Sequence, residues 1–114
     1  MATIVPEIKT EPDRMEILWE ECATGDTLSP VKLKDAPAMV ACVHAFGTFN
    51  STTVKMLGSN NDAATFIALP DLSGTEIALT ANGLKDFSTA CLYLKPEVAD
   101  GTSDDVDVKV VIRL

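Results

Sequence analysis

The chain has 114 residues, enough for one two-layer domain that buries roughly 65% of its unfolded surface without disulfide or metal staples. Its net charge of −8 opposes binding to nucleic acid and to anionic membranes, since both run on Lys and Arg. No window approaches the ~20 apolar residues that span a bilayer, and Met1-Ala2-Thr3-Ile4-Val5-Pro6-Glu7 lacks the basic and apolar regions of a secretion signal.

Residues 1–13 hold Pro6 and Pro12 around a β-prone Thr3-Ile4-Val5. Proline removes a ladder donor and fixes φ, so this segment is expected to be an extended arm or an edge strand, with the sandwich domain at 14–114. From Met15 the pattern alternates, with Met15, Ile17, Trp19 and Glu21 on one face and Glu16, Leu18, Glu20 and Cys22 on the other. Ala23-Thr24-Gly25-Asp26 makes a turn. Val31 and Leu33 flank Lys32 in a short strand that Asp35-Ala36-Pro37 breaks.

Met39 to Ala45 is an apolar run suited to a central strand, closed by Gly47 and the polar run Asn50 to Thr53. Val54 and Met56 begin the next strand, which runs into Gly58-Ser59-Asn60-Asn61-Asp62. Gly supplies unusual backbone angles there, and Asn and Asp side chains bond their own backbone at bends. Thr65 to Leu69 reads as a short strand ended by Pro70. Glu76 to Thr80 alternates again, and Ala81-Asn82-Gly83-Leu84 reads as one helical turn capped by Gly83. Cys91 to Lys95 is a strand stopped by Pro96. The last segment is the clearest, with Val106, Val108, Val110 and Ile112 facing in. The sum is all-β: an antiparallel β-sandwich or jelly roll of about eight strands with an extended N-terminal segment.

Reactive chemistry finds little footing. The three cysteines, Cys22, Cys42 and Cys91, have no metal-type spacing, and the chain holds one histidine. Cys42 and His44 share a strand face by alternation, but no sequence neighbour supplies a carboxylate to orient the imidazole, which reads as a half-buried sheet histidine. The acidic loop Asp100-Gly101-Thr102-Ser103-Asp104-Asp105 departs from calcium-loop order and reads as a solvated turn. No glycine pattern cradles a phosphate. Trp19 falls on an inward stripe, a core position rather than a sugar platform. From the residues alone the chain is a binding or structural β domain with no catalytic residue, no metal and no cofactor.

Trp19, Gly25-Asp26, Val31 with Leu33, Pro37, Val40 with Val43 and Gly47-Thr48-Phe49 come in a familiar order. Val54, Leu57-Gly58-Ser59-Asn60, Leu69, Leu79-Thr80-Ala81, Gly83-Leu84, Pro96 and the strand from Val106 to Arg113 continue it. This order resembles the small β-sandwich virion structural proteins of tailed bacteriophages, of the head decoration or cement type, over roughly residues 16–114. The pattern has Asp-Gly and then Trp after the Gly-Ser-Asn turn, where this chain has Asp62-Ala63 and Phe66, which implies a different loop tip. The turn also recurs in galactose-binding-like sandwiches, which supports a rival reading as a carbohydrate- or receptor-binding module of a phage tail or fibre.

The resemblance implies a non-enzymatic protein made in the host cytoplasm and placed on the capsid exterior, where it binds the major capsid protein and stabilises the head. Thr3, Ile4, Val5 and Pro6 are the candidate arm for reaching a neighbour, and Ser59, Asn60, Asn61 and Asp62 the candidate loop contacts. Self-association is expected because a small sandwich must cover its edges, with a homotrimer as the first form and a dimer as the second. Nucleic acid and membrane are not expected partners.

Overall fold

The computed structural model describes residues 2–33, 39–61 and 65–113; the expected break at Asp35-Ala36-Pro37 and the loop residue Asp62 lie outside them. Eleven strands form there: β1 (Thr3–Ile4), β2 (Glu7–Glu11), β3 (Arg14–Cys22), β4 (Thr27–Leu28), β5 (Val31–Lys32), β6 (Met39–Thr48), β7 (Thr53–Ser59), β8 (Ile67–Ala68), β9 (Gly83–Thr89), β10 (Tyr93–Ala99) and β11 (Asp105–Arg113). Among the described residues there is no helix.

A five-stranded sheet runs β2-β3-β11-β6-β9 and a four-stranded sheet β5-β10-β7-β8, with β1 and β4 forming a separate parallel pair. Setting that pair aside, the chain from β3 onward passes between the two large sheets at every connection except β7 to β8. With antiparallel pairing throughout both sheets, this is the winding of a jelly roll. The expectation of an antiparallel sandwich or jelly roll is met.

The terminal strand sits at the centre because its alternation is unbroken. Val106, Val108, Val110 and Ile112 are buried against Ile17, Trp19, Val43, Ala45, Met56 and Leu94, which closes one core between the sheets. The Trp19 indole is fully buried, and its N–H donates to the Ser29 carbonyl at 2.9 Å, so burial leaves no orphan donor.

Four local expectations need correction. The alternation of β3 does not carry Glu21 inward. Trp19 pairs with Val108 and Cys22 with Val106, so three steps on β3 match two on β11. Glu21 takes a φ of 55° as the extra residue of a β-bulge, and Cys22 joins the buried face in its place. Pro96 does not end its strand, since β10 continues through it to Ala99. Leu92 accepts from the Leu33 N–H, so the even positions of β10 direct their backbone toward β5, whose pairing stops at Leu94. The donor that Pro96 lacks had no partner to lose.

Residues 81–84 form no helical turn. Gly83 opens β9, and the Asn82 side chain accepts from the Gly47 N–H at 3.1 Å, which ties the bend to β6. Glu76 to Thr80 is not a ladder strand either: a single bridge ties Glu76 to Pro70 and another ties Leu79 to Val54 of β7, while Ile77 and Leu79 enter the core.

The N-terminal segment pairs within its own domain. β2 forms a hairpin with β3, and Thr3 and Ile4 lie parallel to Thr27 and Leu28. Thr27 and Ser29 donate to the carbonyls of Ala2 and Ile4, and the Ala2 N–H donates to Asp26 Oδ1 at 2.9 Å. Ile4 packs on the core.

Candidate functional site

The acidic loop before β11 is a structural knot. Asp104 is 7% exposed, and its carboxylate accepts from the Thr24 N–H (2.9 Å), the Thr24 hydroxyl (2.7 Å) and the Thr52 hydroxyl (2.7 Å). Burial raises its pKa, but these hydrogen bonds outweigh burial and hold it below the usual carboxylate value. Gly101 donates to Thr24 Oγ1, and Asn50 Nδ2 donates to the Thr102 carbonyl, so loops 23–26, 50–52 and 100–104 are bound into one end of the sandwich. The expected turn with a solvated charged rim needs correction at Asp104, which points inward because three donors replace water. Among the described residues no group of three or more His, Cys, Asp or Glu is placed to hold a metal ion.

Two of the thiols are shifted away from the reactive thiolate form. Cys22 is buried, and desolvation, with Asp107, Asp26 and Asp105 nearby, pushes its pKa up to about 12. Burial, then Asp86, also raises Cys42. A nucleophilic cysteine needs the opposite shift. His44 is exposed, not half-buried, because β6 turns its even positions outward; its ring lies 4.6 Å from that of Phe46. All three cysteines are free.

The candidate loop is braced rather than loose. Ser59 is buried and its hydroxyl accepts from the Asn61 N–H at 3.0 Å, while Asn60 Oδ1 accepts from the Leu92 N–H at 2.9 Å. Ser59, Asn60 and Asn61 line an open depression of about 420 Å³ together with Gly58, Thr65, Ile67, Leu69 and Cys91. Ile67, exposed on the edge strand β8, makes one wall apolar. The sequence reading found the turn but missed Ile67, Leu69 and Cys91, which the pairing of β7 with β8 on one side and β10 on the other brings to it.

The arm candidates do not gather with that loop. Thr3 and Ile4 lie in β1, Val5 is exposed and Pro6 half-buried ahead of β2. A further apolar area lies on the outward face of the five-stranded sheet, where Val40, Cys42, Asp86, Val111 and Arg113 bound a shallow depression of about 380 Å³. Exposed Leu84 lies one strand from His44 on the same face. On that face Glu16 bridges Arg14 Nε (2.6 Å) and Lys109 Nζ (2.9 Å), and these bonds hold its carboxyl at about 2. A platform of exposed aromatics is not built here among the described residues: Trp19 is buried, and Phe66 is half-buried with the Lys95 ammonium 4.5 Å from its ring centre.

These features define a jelly-roll scaffold with hydrogen-bonded loops and shallow apolar recesses. No protein family and no curated protein matches the sequence. Among solved structures, the chain is similar to the SPBc2 prophage-derived protein YomS, with a TM-score of 0.65 and 20% identity over 95% of this chain and 99% of that one. Protein NMB1881 from Neisseria meningitidis also matches, with a TM-score of 0.39 and 10% identity over 96% of this chain and 82% of that one.

Proposed function

We propose that the chain is a non-enzymatic structural protein of a phage virion, a decoration or cement subunit that binds the outside of the major capsid lattice. One observation carries the reading: a jelly roll shared end to end with a prophage-derived protein. The knotted loops and apolar recesses support it, because a subunit that seals seams between neighbours needs stiff, preformed contact surfaces rather than a lid or a reactive centre. A plug that binds the assembled shell more tightly than free capsid subunits stabilises the shell by RT ln(1 + [L]/Kd) per site, repeated over the lattice.

Buried Trp19 and the cation-covered Phe66 favour this reading over a glycan-binding tail or fibre module, which stacks sugars on exposed aromatics. The test is to add the purified protein to heads that lack it and to count bound copies. Binding in proportion to capsid subunits, with DNA released at a higher temperature, supports the proposal. Attachment to tails alone, or a strong glycan-array signal with bare heads, overturns it.

A further inference from the structure

The five-stranded sheet ends unequally on its two sides. At β9 the chain covers its own edge, where the Leu72 N–H donates to the Asp86 carbonyl at 3.2 Å. At β2, among the described residues, no strand pairs beyond it. Alternate residues of such a strand direct N–H and C=O away from the sheet, which is a template for another strand.

The inward face is unfinished at the same place. Val43, Val110, Ile17 and Ile8 form one cross-strand row, and the first three are fully buried. Ile8 is 53% exposed, so the cover that buries the first three stops short of β2. On the outward face β2 carries Glu7, Lys9 and Glu11, with Lys9 opposite Glu16 and Glu7 opposite Leu18 on β3.

We propose that β2 pairs with β2 of a second copy in an antiparallel two-fold interface centred on Ile8, joining the two five-stranded sheets. A two-fold axis through the sheet keeps inward face with inward face, so the centre falls on a residue. Centred on Ile8, the row Ile17–Ile8 continues into the partner's Ile8, while Glu7 meets the partner's Lys9 and Lys9 meets the partner's Glu7. Centred on Glu7 or Lys9, like charges face each other. Centred on Thr10, Lys9 meets the partner's Glu11 over an overlap of the same length, but Ile8 falls opposite Pro12, beyond the strand, and the apolar row stays open. The occupant is therefore this chain itself, selected by charge complementarity and by an apolar row that one copy leaves open. Pro6 and Pro12 bracket the strand and limit the overlap to a closed pair rather than a growing sheet. The inference is independent of the virion reading.

The test combines sedimentation with site-directed cross-linking. Opposed residues in an antiparallel pair have Cα atoms about 4.5–5.5 Å apart, within the span of a disulfide. Wild type should sediment as a dimer, and Ile8→Cys should form an intermolecular disulfide under mild oxidation. Val5→Cys, which is more exposed (72%), should not. Glu7→Lys and Lys9→Glu should each shift the chain toward monomer, and the double exchange should restore the dimer. A wild type that stays monomeric at high concentration overturns the proposal. So does equal cross-linking of the two cysteine variants, or a double exchange that restores nothing while each single change dissociates the dimer.

Discussion

Thr52 donates its hydroxyl to the Asp104 carboxylate at 2.7 Å inside the domain, across 52 positions of sequence. With Thr24 as the second partner, this contact fixes the end of the sandwich from which β11 enters its central place. Asp104→Asn keeps the shape but leaves an amide with surplus donors facing hydrogen-bond donors. It should cost about 2–3 kcal/mol, and Thr52→Val about 1–2 kcal/mol, read as a lower urea midpoint at unchanged slope. Because both remove the same bond, their effects should be less than additive in a double-mutant cycle.

Stability should fall in acid for a stated set of groups. The folded-state pKa is lowered for Asp104 despite burial, for Asp26 by the N–H groups of Ala2 and Ala23, and for Asp71 by those of Thr75 and Ser73 and by Lys85. Arg14 and Lys109 hold Glu16 at about 2. For a depressed carboxyl the unfolded chain takes up protons first, so the stabilisation is complete above the ordinary range near ~4 and drains away below it. Urea midpoints should therefore be flat from neutral pH to about 5 and drop steeply toward about 2. Asp104→Asn should make that drop shallower. Added salt should weaken the contribution of solvent-facing Glu16 more than that of Asp104.

Much of the fold was legible where one physical signal acted alone. β11 shows strict alternation, and the four residues it sends inward, Val106, Val108, Val110 and Ile112, all lie in the core. The failures occur where a local rule competes with pairing. Proline predicts a strand end at Pro96, yet the missing donor lies on a side of β10 that has no partner there. Asn82-Gly83 carries a helix-cap signal, yet the Asn82 side chain is taken by Gly47. The bulge at Glu21 has no composition marker, since glutamate rarely takes a positive φ. The candidate turn was visible from its Gly-Ser-Asn-Asn run, but the apolar residues beside it come from β8 and from the start of β10, which only the three-dimensional pairing reveals.

The N-terminal segment should prove structural. Removing residues 2–6 withdraws Ile4 from the core, leaves Thr27 and Ser29 without their partners and takes from Asp26 the Ala2 donor, with Ala23 remaining. The expected cost is about 2–4 kcal/mol, from partial burial of one aliphatic side chain and three hydrogen bonds. Ile4→Ala alone should account for about 1 kcal/mol. A truncated chain with an unchanged urea midpoint would show that the segment is a free arm.

Glu21 offers the sharpest test of the fold's local physics. Glycine inside a strand ordinarily weakens it, through backbone entropy and lost side-chain packing. At this position the side chain is exposed and φ is 55°, a conformation that strains a residue with a Cβ and leaves glycine at ease. The N–H that donates to Asp107 Oδ1 at 2.8 Å belongs to the backbone and survives the change. Glu21→Gly should therefore stabilise the protein by about 0.5–1 kcal/mol, a rise of a few degrees in Tm. Glu21→Val, the better strand former by propensity, should instead lose about 1–2 kcal/mol, because a β-branched side chain crowds the same φ. The measurement is the thermal midpoint of the three chains at neutral pH. The opposite order would mean that β3 runs without a bulge, in which case Glu21 rather than Cys22 would face the core.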